Sequence, residues 1–316
     1  MPDETPAPAG RPRRTCLAVP GSSVKMLGKA QGLPADEVFL DLEDAVAAGA
    51  KEAARRNVVA ALNEGDWSGK TRVVRVNDLS TRWTYRDVVD VVEAAGQNLD
   101  CVMLPKVRSA AQVQWLDVLL TQIEQAMGFD HRIGIEAQIE DARGLTEVDA
   151  IAAASPRLET LVLGPADFMA SLAMPSLVVG ALSPHYPGDP LHHVLMRILV
   201  AARAHGLQAL DGPYLAIHDL DGLQAVARRA AALGYDGKWV LHPTQIDAVN
   251  EVFSPSQSAY DHAERILDAY RQATEERLVG AVMLGDEMID EASRKMALVV
   301  AGKGRAAGLQ RTESAT

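Results

Sequence analysis

Val38-Phe-Leu-Asp-Leu42, an apolar run of strand length, is followed by the Ala-rich stretch 50–63 and by a second apolar run, Arg72-Val-Val-Arg-Val76. Short apolar runs of this kind are typical of strands that are buried on both faces. A strand, a helix and another strand in this order predict a βαβ unit with parallel strands.

The same unit recurs along most of the chain. Eight such strands within about 250 residues match the size of a closed (β/α)8 TIM barrel, and we predict this α/β fold. An open, doubly wound sheet is the alternative, because hydrophobic periodicity does not show whether a sheet closes. The predicted strands are 15–19, 38–42, 72–76, 101–104, 133–139, 161–163, 208–210 and 238–241. The predicted helices are 24–31, 50–63, 85–95, 110–127, 144–154, 191–204 and 220–233.

The C-terminal part of the chain departs from this pattern. Residues 260–276 and 287–301 are typical of charged helices, and the Gly-containing stretch 279–285 joins them. We therefore predict a barrel over 14–255 and a C-terminal helical extension, or lid, over 256–308. The Pro- and Ala-rich residues 1–13 and the residues 309–316 are predicted to be disordered tails.

The composition argues against several classes of function. The chain has 316 residues, a formal net charge of −11 and no basic cluster, which is a poor match for nucleic acid. No apolar run reaches the ~18 residues of a membrane span, and the N-terminal residues lack the apolar region of a secretory signal. Cys16 and Cys101 each lie in an apolar run, as reduced core cysteines do. We therefore expect a cytoplasmic protein that binds neither nucleic acid nor membrane.

Polar side chains lie at the ends of seven predicted strands. In a barrel these ends meet at one mouth, where charges are costly unless they are paired or bound. The excess of carboxylates favours a hard cation, and Mg²⁺ prefers a few carboxylates together with waters and substrate oxygens. We predict Glu140 and Asp167 as its ligands; the alternative is that both simply pair with Arg75, Lys106 or Arg143. The strand-end residues are Asp41, Glu43, Asp44, Arg75, Asn77, Lys106, Glu136, Glu140, Asp167, Asp211 and His242.

Several of these residues lie in motifs that resemble the HpcH/HpaI aldolase and citrate lyase β-subunit-like family. Segments 180–212, 235–256 and 285–304 are most similar to the malyl-CoA and β-methylmalyl-CoA lyases of that family. The order and spacing of the motifs identify the chain as a member from Arg14 to Gly308. The motifs are Arg14-Thr-Cys-Leu-Ala-Val-Pro-Gly21, Leu40-Asp-Leu-Glu-Asp-Ala-Val46, Val74-Arg-Val-Asn77, Leu104-Pro-Lys106, Ile135-Glu-Ala-Gln-Ile-Glu140, Leu163-Gly-Pro-Ala-Asp167 and Leu241-His-Pro243.

The resemblance implies a (β/α)8 barrel with a Mg²⁺ cofactor, for which Mn²⁺ is an expected substitute. It also implies a CoA thioester and a small 2-oxo acid as ligands, and a homotrimer or homohexamer as the assembly. Glu140 and Asp167 match the metal ligands of the family, and Arg75 matches its catalytic arginine. Asp290 matches an acid that the C-terminal segment of an adjacent subunit places over the site.

Two further groups are expected near this site. Glu43 and Asp44 are expected to hold Arg75 and the waters of the metal in place; a plain ion pair with Arg75 is the alternative. Three cations near the first strand–helix loop resemble the CoA contacts of the family, although a solvated helix face explains the lysines equally well. These cations are Arg14, Lys25 and Lys29.

The expected reaction is the reversible, Mg²⁺-dependent cleavage of malyl-CoA or β-methylmalyl-CoA to glyoxylate and acetyl-CoA or propionyl-CoA. Arg75 is expected to stabilise the enolate oxyanion, and Asp290 to protonate the enolate carbon. A citramalyl-CoA lyase, a malyl-CoA thioesterase and a citryl lyase similar to the citrate lyase β-subunit are alternatives for the same site. A binding or assembly protein is the alternative of a different class, and the complete set of site residues argues against it.

Overall fold

Eight parallel strands form a closed barrel in the computed structural model, which describes residues 10–180, 186–275 and 278–312. Each strand pairs with the next one in chain order, and the eighth pairs with the first. The predicted TIM barrel is therefore confirmed over the open sheet. The strands are β1 (Thr15–Pro20), β2 (Glu37–Asp41), β3 (Thr71–Arg75), β4 (Cys101–Leu104), β5 (Gly134–Ile139), β6 (Leu158–Leu163), β7 (Gln208–Asp211) and β8 (Gly237–Val240).

Helices connect successive strands, and turn residues set where several of them begin and end. In one of these helices, α9, Asp219 accepts a hydrogen bond from the Gly222 N–H at the start, and Gly234 ends the helix with φ of 112°. The helices are α1 (Val24–Ala30), α2 (Lys51–Glu64), α3 (Thr84–Ala95), α4 (Ala110–Met127), α5 (Ala142–Thr146), α6 (Val148–Ala152), α7 (Pro165–Ser171), α8 (His192–Ala204), α9 (Leu220–Leu233), α10 (Ile246–Phe253), α11 (Gln257–Glu275) and α12 (Glu291–Ala306). No helix among the described residues is long and apolar enough to cross a membrane.

Some predicted helix bounds differ from the structure. The stretch 144–154 contains two short helices, α5 and α6, that meet at Glu147. Two helices, α7 and α10, were not predicted, because Gly-Pro and His-Pro pairs precede them and were interpreted as loops. Proline is compatible with the first turn of a helix: Pro165 begins α7, and Pro243 begins a 3-10 turn (Pro243–Gln245) that leads directly into α10.

The barrel interior is built from layers of four side chains, each layer taken from alternate strands. Phe39, Met103, Val162 and Trp239 from the even-numbered strands form one buried apolar layer. The strand register places Ala18, Arg75, Gln138 and Gly212 in the layer above it, toward the carboxyl ends of the strands. The Arg75 guanidinium accordingly lies over the rings of Phe39 and Trp239, 5.6 and 5.0 Å from their centroids. These two layers form the floor of the mouth.

Arg13 closes the opposite end of the barrel, its base. It is 2% exposed and donates hydrogen bonds to Glu37, Glu136 and Glu159 at 2.8, 2.9 and 2.7 Å. Its partners come from β2, β5 and β6, so one side chain ties three strands together. The predicted tail 1–13 is therefore too long at this end, because residues 10–13 contact the barrel; residues 1–9 lie outside the described residues.

Glu37 and Glu136 both contact Arg13 at this base, and both are fully buried. Burial is the largest cause of the raised pKa of each, and the charge of Glu136 adds to the rise for Glu37. A pKa raised by folding means that the folded state binds more protons. The free energy of unfolding therefore falls as the pH rises from the ordinary glutamate value, about 4.3, toward the folded-state pKa.

Glu37→Gln should weaken this pH dependence, because it removes one of the two titrating groups while keeping a hydrogen-bond acceptor for Arg13. Urea unfolding between about pH 5 and 8 should show a shallower loss of stability, by up to about 1.4 kcal/mol per pH unit. Glu64→Gln, on an exposed part of α2, is the matched control and should keep the wild-type slope. A wild-type slope in Glu37→Gln as well would contradict the assignment.

The C-terminal residues form a second compact unit from Glu251 onward. Within this unit α11 packs against α12 through Tyr260, Ala263, Ala297 and Ala301. A two-stranded hairpin, β9 (Val282–Leu284) and β10 (Glu287–Ile289), lies between these helices in the chain. The predicted helix at 287–301 is therefore wrong at its start. Asp290 caps α12 from outside, so residues 287–289 are free to form a strand.

The ends of this unit also differ from the expectation. Thr312 donates from its backbone N–H to Asp261 at 3.1 Å, and Leu309 packs against the α11–α12 core. Residues 309–312 therefore belong to the unit rather than to a tail. Residues 313–316, like the last residue of the predicted helix 260–276, lie outside the described residues.

Candidate active site

The carboxyl ends of five neighbouring strands bring the predicted site residues to one end of the barrel. The electrostatic contacts of Glu140 show their proximity, because each of the other charged groups influences its pKa. The cluster is formed by Glu43 after β2, Arg75 in β3, Lys106 after β4, Glu140 after β5 and Asp167 in α7.

Arg75 is held in one orientation by two acidic side chains. Its Nε and Nη2 donate to the two carboxylate oxygens of Asp41, both at 2.7 Å, and Nη1 lies 3.3 Å from Glu43. Burial alone would raise the pKa of Asp41, but the Arg75 charge and two backbone N–H donors lower it below its ordinary value. A bidentate pair of this kind fixes the plane of the guanidinium as well as its position.

Lys106 is the second cation at the mouth. Its Nζ donates to Glu43 at 2.6 Å and lies 3.4 Å from Asp44, which is largely exposed. Burial opposes the charge of Lys106, but these carboxylates raise its pKa above the usual range. The backbone at Lys106 has φ of 52°, a conformation that non-glycine residues seldom adopt and that needs support from the surroundings. Glu43 therefore joins the two cations, with Asp44 at the outer edge.

Glu140 carries a buried oxygen that lacks a hydrogen-bond partner among the described residues. The side chain is 3% exposed, and the unpartnered atom is Oε2. Burial is the main cause that raises the pKa of Glu140 to about 8; Glu43 and Asp167 add to the rise, and Arg75 opposes it. A carboxylate in this environment would be stabilised by a cation placed between it and Asp167.

Gly164 lets the turn that precedes Asp167 approach the Glu140 side chain closely. A Cβ added there would lie 2.5 Å from Glu140 Cγ, so the close approach requires glycine. Pro165 begins α7 directly afterwards, and the exposed Asp167 follows in its first turn. Two carboxylates from adjacent strand ends match Mg²⁺, which retains several waters. Among the described residues, no three His, Cys, Asp or Glu side chains could together hold a metal. Water and substrate would therefore complete the coordination.

The three cations that were predicted to contact CoA do not lie at the same end of the barrel. Arg14 precedes β1 at the base of the barrel, where its Nε donates to Asp36 at 2.7 Å. It is remote from the mouth, and we do not retain it as a CoA contact. Helix α1 begins after the carboxyl end of β1, so its first turn, with the exposed Lys25, lies nearest the mouth. Lys29 lies one turn further along the same exposed face.

Asp290 belongs to the C-terminal unit, where it accepts a hydrogen bond from the Ser293 N–H at 3.0 Å. This backbone hydrogen bond is the largest cause of its lowered pKa. Asp290 is therefore ionised at neutral pH in this arrangement, and a role as a proton donor would require a more buried environment.

Sequence reasoning missed two groups that shape the site. Asp41 was noted as a strand-end acid but not as the partner of Arg75. Its position was predictable, because Asp41 lies two residues after Phe39 on β2 and therefore faces the same side of the strand, the barrel interior. Lys51, from α2, donates to the carbonyl oxygens of Leu42 and Glu43, both at 2.7 Å, and fixes the loop after β2. No local motif indicated the contacts of Lys51.

Comparison with known proteins identifies the family of the chain. Residues 14–243 match the HpcH/HpaI aldolase/citrate lyase family. The chain belongs to this family. An L-malyl-CoA/β-methylmalyl-CoA lyase from Cereibacter sphaeroides is 42% identical to it over 304 residues, which cover 93% of the chain and 95% of the relative. Since both the family and this relative are named for lyase activity, the prediction of a carbon–carbon lyase is confirmed at the level of the family.

Other family members differ in their stated activity or ligands. A malyl-CoA/β-methylmalyl-CoA/citramalyl-CoA lyase from Chloroflexus aurantiacus is 34% identical, covering 84% of the chain and 79% of the relative. A (3S)-malyl-CoA thioesterase from Cereibacter sphaeroides is 38% identical, covering 83% of the chain and 84% of the relative. The crystal structure of CitE from Mycobacterium tuberculosis with magnesium, acetoacetate and coenzyme A is 32% identical with a TM-score of 0.72. The match covers 94% of the chain and 98% of that structure.

Proposed function

We propose that this family member is a Mg²⁺-dependent lyase that reversibly cleaves malyl-CoA or β-methylmalyl-CoA. The products are glyoxylate and acetyl-CoA or propionyl-CoA. The observation that carries the proposal is the buried, unpartnered Glu140 oxygen, whose carboxylate lies within electrostatic range of Asp167 and of the Arg75 guanidinium that Asp41 fixes. The names of the relatives and the magnesium in the related crystal structure support the same reading.

Glu140 and Asp167 would hold Mg²⁺, or Mn²⁺ in its place. The orphaned Glu140 oxygen and the hard oxygen donors fit such an ion. When bound, the ion supplies Lewis-acid chemistry that polarises and orients the substrate oxygens. Glu43 and Asp44, which both contact Lys106 at the mouth, would accept hydrogen bonds from waters around the ion.

Arg75 would stabilise the charge that develops in the reaction. The hydroxyl of the substrate gives its proton to solvent, and its oxygen forms the carbonyl of glyoxylate as the bond between the hydroxyl-bearing carbon and the thioester α-carbon breaks. The electrons of that bond form the enolate of the thioester. Arg75 remains charged at any working pH and is held by Asp41 before substrate arrives, so it is preorganised for this oxyanion. The enolate carbon then takes up a proton to complete the acyl-CoA product.

Asp290 is the residue that we propose as the proton donor, from a neighbouring copy in a homotrimer or homohexamer. Asp290→Asn keeps an N-cap for α12 but is not an acid, and we expect about a hundredfold loss of rate. Co-expressed Asp290→Asn and Arg75→Lys chains should recover part of the wild-type rate, because one mouth in the mixed oligomer can combine two intact groups. No recovery in purified mixed oligomers would contradict action between subunits.

Lys25 is the cation best placed to meet the phosphates of CoA at the rim. Lys25→Glu should raise the KM for the thioester by about three- to tenfold, with kcat unchanged and a weaker effect at high salt. Lys29→Glu, one turn away on the same helix, is the matched control and should change the KM less. Equal KM values for wild type and Lys25→Glu would favour a plain solvated helix face.

A single assay tests the proposed function. The protein is incubated with malyl-CoA and Mg²⁺, and glyoxylate, acetyl-CoA, malate and free CoA are measured. The proposal requires glyoxylate and acetyl-CoA in equal amounts and no turnover after chelation of the metal. The 38% identity to a malyl-CoA thioesterase makes hydrolysis the second candidate, and malate with free CoA would establish it instead. Citramalyl-CoA and citryl thioesters, assayed for pyruvate and oxaloacetate, complete the panel.

A further inference from the structure

The base of the barrel encloses two carboxylates that share one arginine nitrogen. Glu37 and Glu136 are both 0% exposed, and both accept from Nε of the buried Arg13, at 2.8 and 2.9 Å. That nitrogen carries a single hydrogen, so it cannot satisfy both carboxylates fully. The other two nitrogens of the guanidinium donate elsewhere, to Gln208 at 2.6 Å and to the partly exposed Glu159 at 2.7 Å. One buried cation therefore faces two enclosed carboxylates.

The surrounding ion pairs do not supply the missing positive charge. Arg11 pairs with Asp100 at 2.8 Å and with Glu159 at 3.2 Å, and Arg72 pairs with Asp100 at 2.8 Å. Together with Arg13 and the two enclosed glutamates, the network has three arginines against four acids, so one negative charge is left over. Because Asp100 and Glu159 are partly exposed to water, the surplus is most costly on the enclosed pair.

Three buried oxygen atoms at the base lack a hydrogen-bond partner among the described residues. They are Glu37 Oε1, Glu136 Oε2 and Thr160 Oγ1. Thr160 is the register partner of Glu136 on the neighbouring strand, so both side chains face the same side of the sheet, the barrel interior. Thr160 and Glu37 lie two positions before Val162 and Phe39, which share an interior layer, so they form the next layer toward the base. The side chains of such a layer point toward the barrel axis, where the three oxygens would meet.

A small cation answers these deficits better than water or a proton does. Water would bridge the oxygens but leave the buried charge in place. A proton shared by the two carboxylates would remove the charge, but it would leave Thr160 Oγ1 without a partner. The Cys16 thiol does not fill the gap, because it donates to the Arg13 carbonyl oxygen at 3.6 Å. A cation with oxygen ligands neutralises the surplus and contacts all three atoms.

We propose that Glu37, Glu136 and Thr160 bind a partly dehydrated alkali cation, Na⁺ or K⁺, inside the base of the barrel. A single positive charge matches the surplus of one negative charge, whereas Mg²⁺ would bring two and gives up its waters reluctantly. The ion ties β2, β5 and β6 together and stabilises the folded barrel, because the unfolded chain does not hold it. It lies at the opposite end of the barrel from the mouth, so the proposal does not depend on the proposed reaction.

Thermal unfolding in different salts tests the proposal. The Tm is measured at about pH 8, where protons compete least, in KCl, NaCl or tetramethylammonium chloride at equal ionic strength and with a chelator of divalent ions. Tetramethylammonium screens the surface charge similarly but is too large to enter the base. Between about 1 and about 200 mM salt, K⁺ or Na⁺ should raise the Tm by at least about 4 °C more than tetramethylammonium does.

Two variants at the base and one at the mouth locate the ion. Glu136→Gln removes the surplus charge and keeps an acceptor for Arg13, so it should fold and lose the cation-specific rise in Tm. Thr160→Val keeps both carboxylates and removes one oxygen, so about tenfold more cation should be needed for the same rise. Asp167→Asn is the matched control: it removes an acid at the mouth and should keep the full rise. Crystals grown in rubidium chloride should show an anomalous peak among the three oxygens.

Several results would overturn the proposal. A Tm that rises equally in all three salts would leave a shared proton as the explanation of the buried pair. A full cation-specific rise in Glu136→Gln, or its loss in Asp167→Asn, would place the ion elsewhere. An unchanged response in Thr160→Val would remove Thr160 from the site. Failure of Glu136→Gln to fold in any salt would show that the second carboxylate charge is needed by Arg13 itself and is not a surplus.

Discussion

Asp167→Asn is expected to lower the Mg²⁺-dependent rate of malyl-CoA cleavage by about a thousandfold or more. The change removes the charge of one of only two proposed protein ligands and leaves Glu140 alone to attract the ion. Asp167 is exposed in the first turn of α7, so the barrel should fold normally without its charge. The rate is measured as glyoxylate release over a series of Mg²⁺ concentrations, with circular dichroism and Tm as checks on folding.

Asp149→Asn provides the matched control for this prediction. Asp149 is an acid of α6 that pairs with Arg197 on α8 at 2.8 Å, away from the strand ends that form the mouth. It should retain the wild-type rate and metal dependence. If Asp167→Asn turned over at an unchanged rate in chelated buffer, the assignment of Glu140 and Asp167 to a metal would be wrong.

Arg75→Lys should reduce kcat/KM for the thioester by about a thousandfold, with most of the loss in kcat. Lysine keeps the positive charge beside Asp41, so the buried acid is not left alone and the fold should survive. The bidentate contact with Asp41 disappears, however, and the ammonium has neither the plane nor the reach of the guanidinium. The loss should fall on kcat because the developing enolate, rather than the substrate, needs the fixed cation.

Arg72→Lys separates this effect from a general loss of arginine in β3. Arg72 lies in the same strand near the base of the barrel and pairs with Asp100 at 2.8 Å. Its replacement should change stability slightly and the rate hardly at all. A full rate in Arg75→Lys, or an equal loss in Arg72→Lys, would remove Arg75 from the proposed mechanism.

The main features of the fold follow from local sequence patterns. Apolar runs such as 38–42 and 72–76 predicted strands because their burial on both faces leaves little polar sequence within them. Closure of the sheet did not follow, because it depends on the register between β8 and β1, which local periodicity does not contain. The hairpin at 282–289 was missed for a related reason, since its strands have only three residues each.

The sequence indicates which residues lie at strand ends, because the apolar runs mark the strands. It does not indicate which side chains contact each other when they come from distant parts of the chain. Arg75 and Glu140 were singled out because they lie at the ends of predicted strands, and the family resemblance supplied the roles predicted for them. The contact of Arg13 with three glutamates at the base was not, because each partner comes from a different strand. Arg14, its neighbour in sequence, was assigned to the wrong end of the barrel, since sequence proximity to β1 does not say which end a residue faces.

Gly164, which has no side chain, affects which metal ion the proposed site would prefer. Because the turn after β6 packs directly against the Glu140 side chain, the segment that carries Asp167 is not independent of Glu140. A site whose ligands have little freedom to move apart disfavours Ca²⁺. The Ca²⁺–oxygen distance is about 2.3–2.6 Å, roughly half an ångström longer than the Mg²⁺–oxygen distance. We therefore expect Ca²⁺ to bind this site more weakly than Mg²⁺, because the ligands would have to move apart to hold the larger ion.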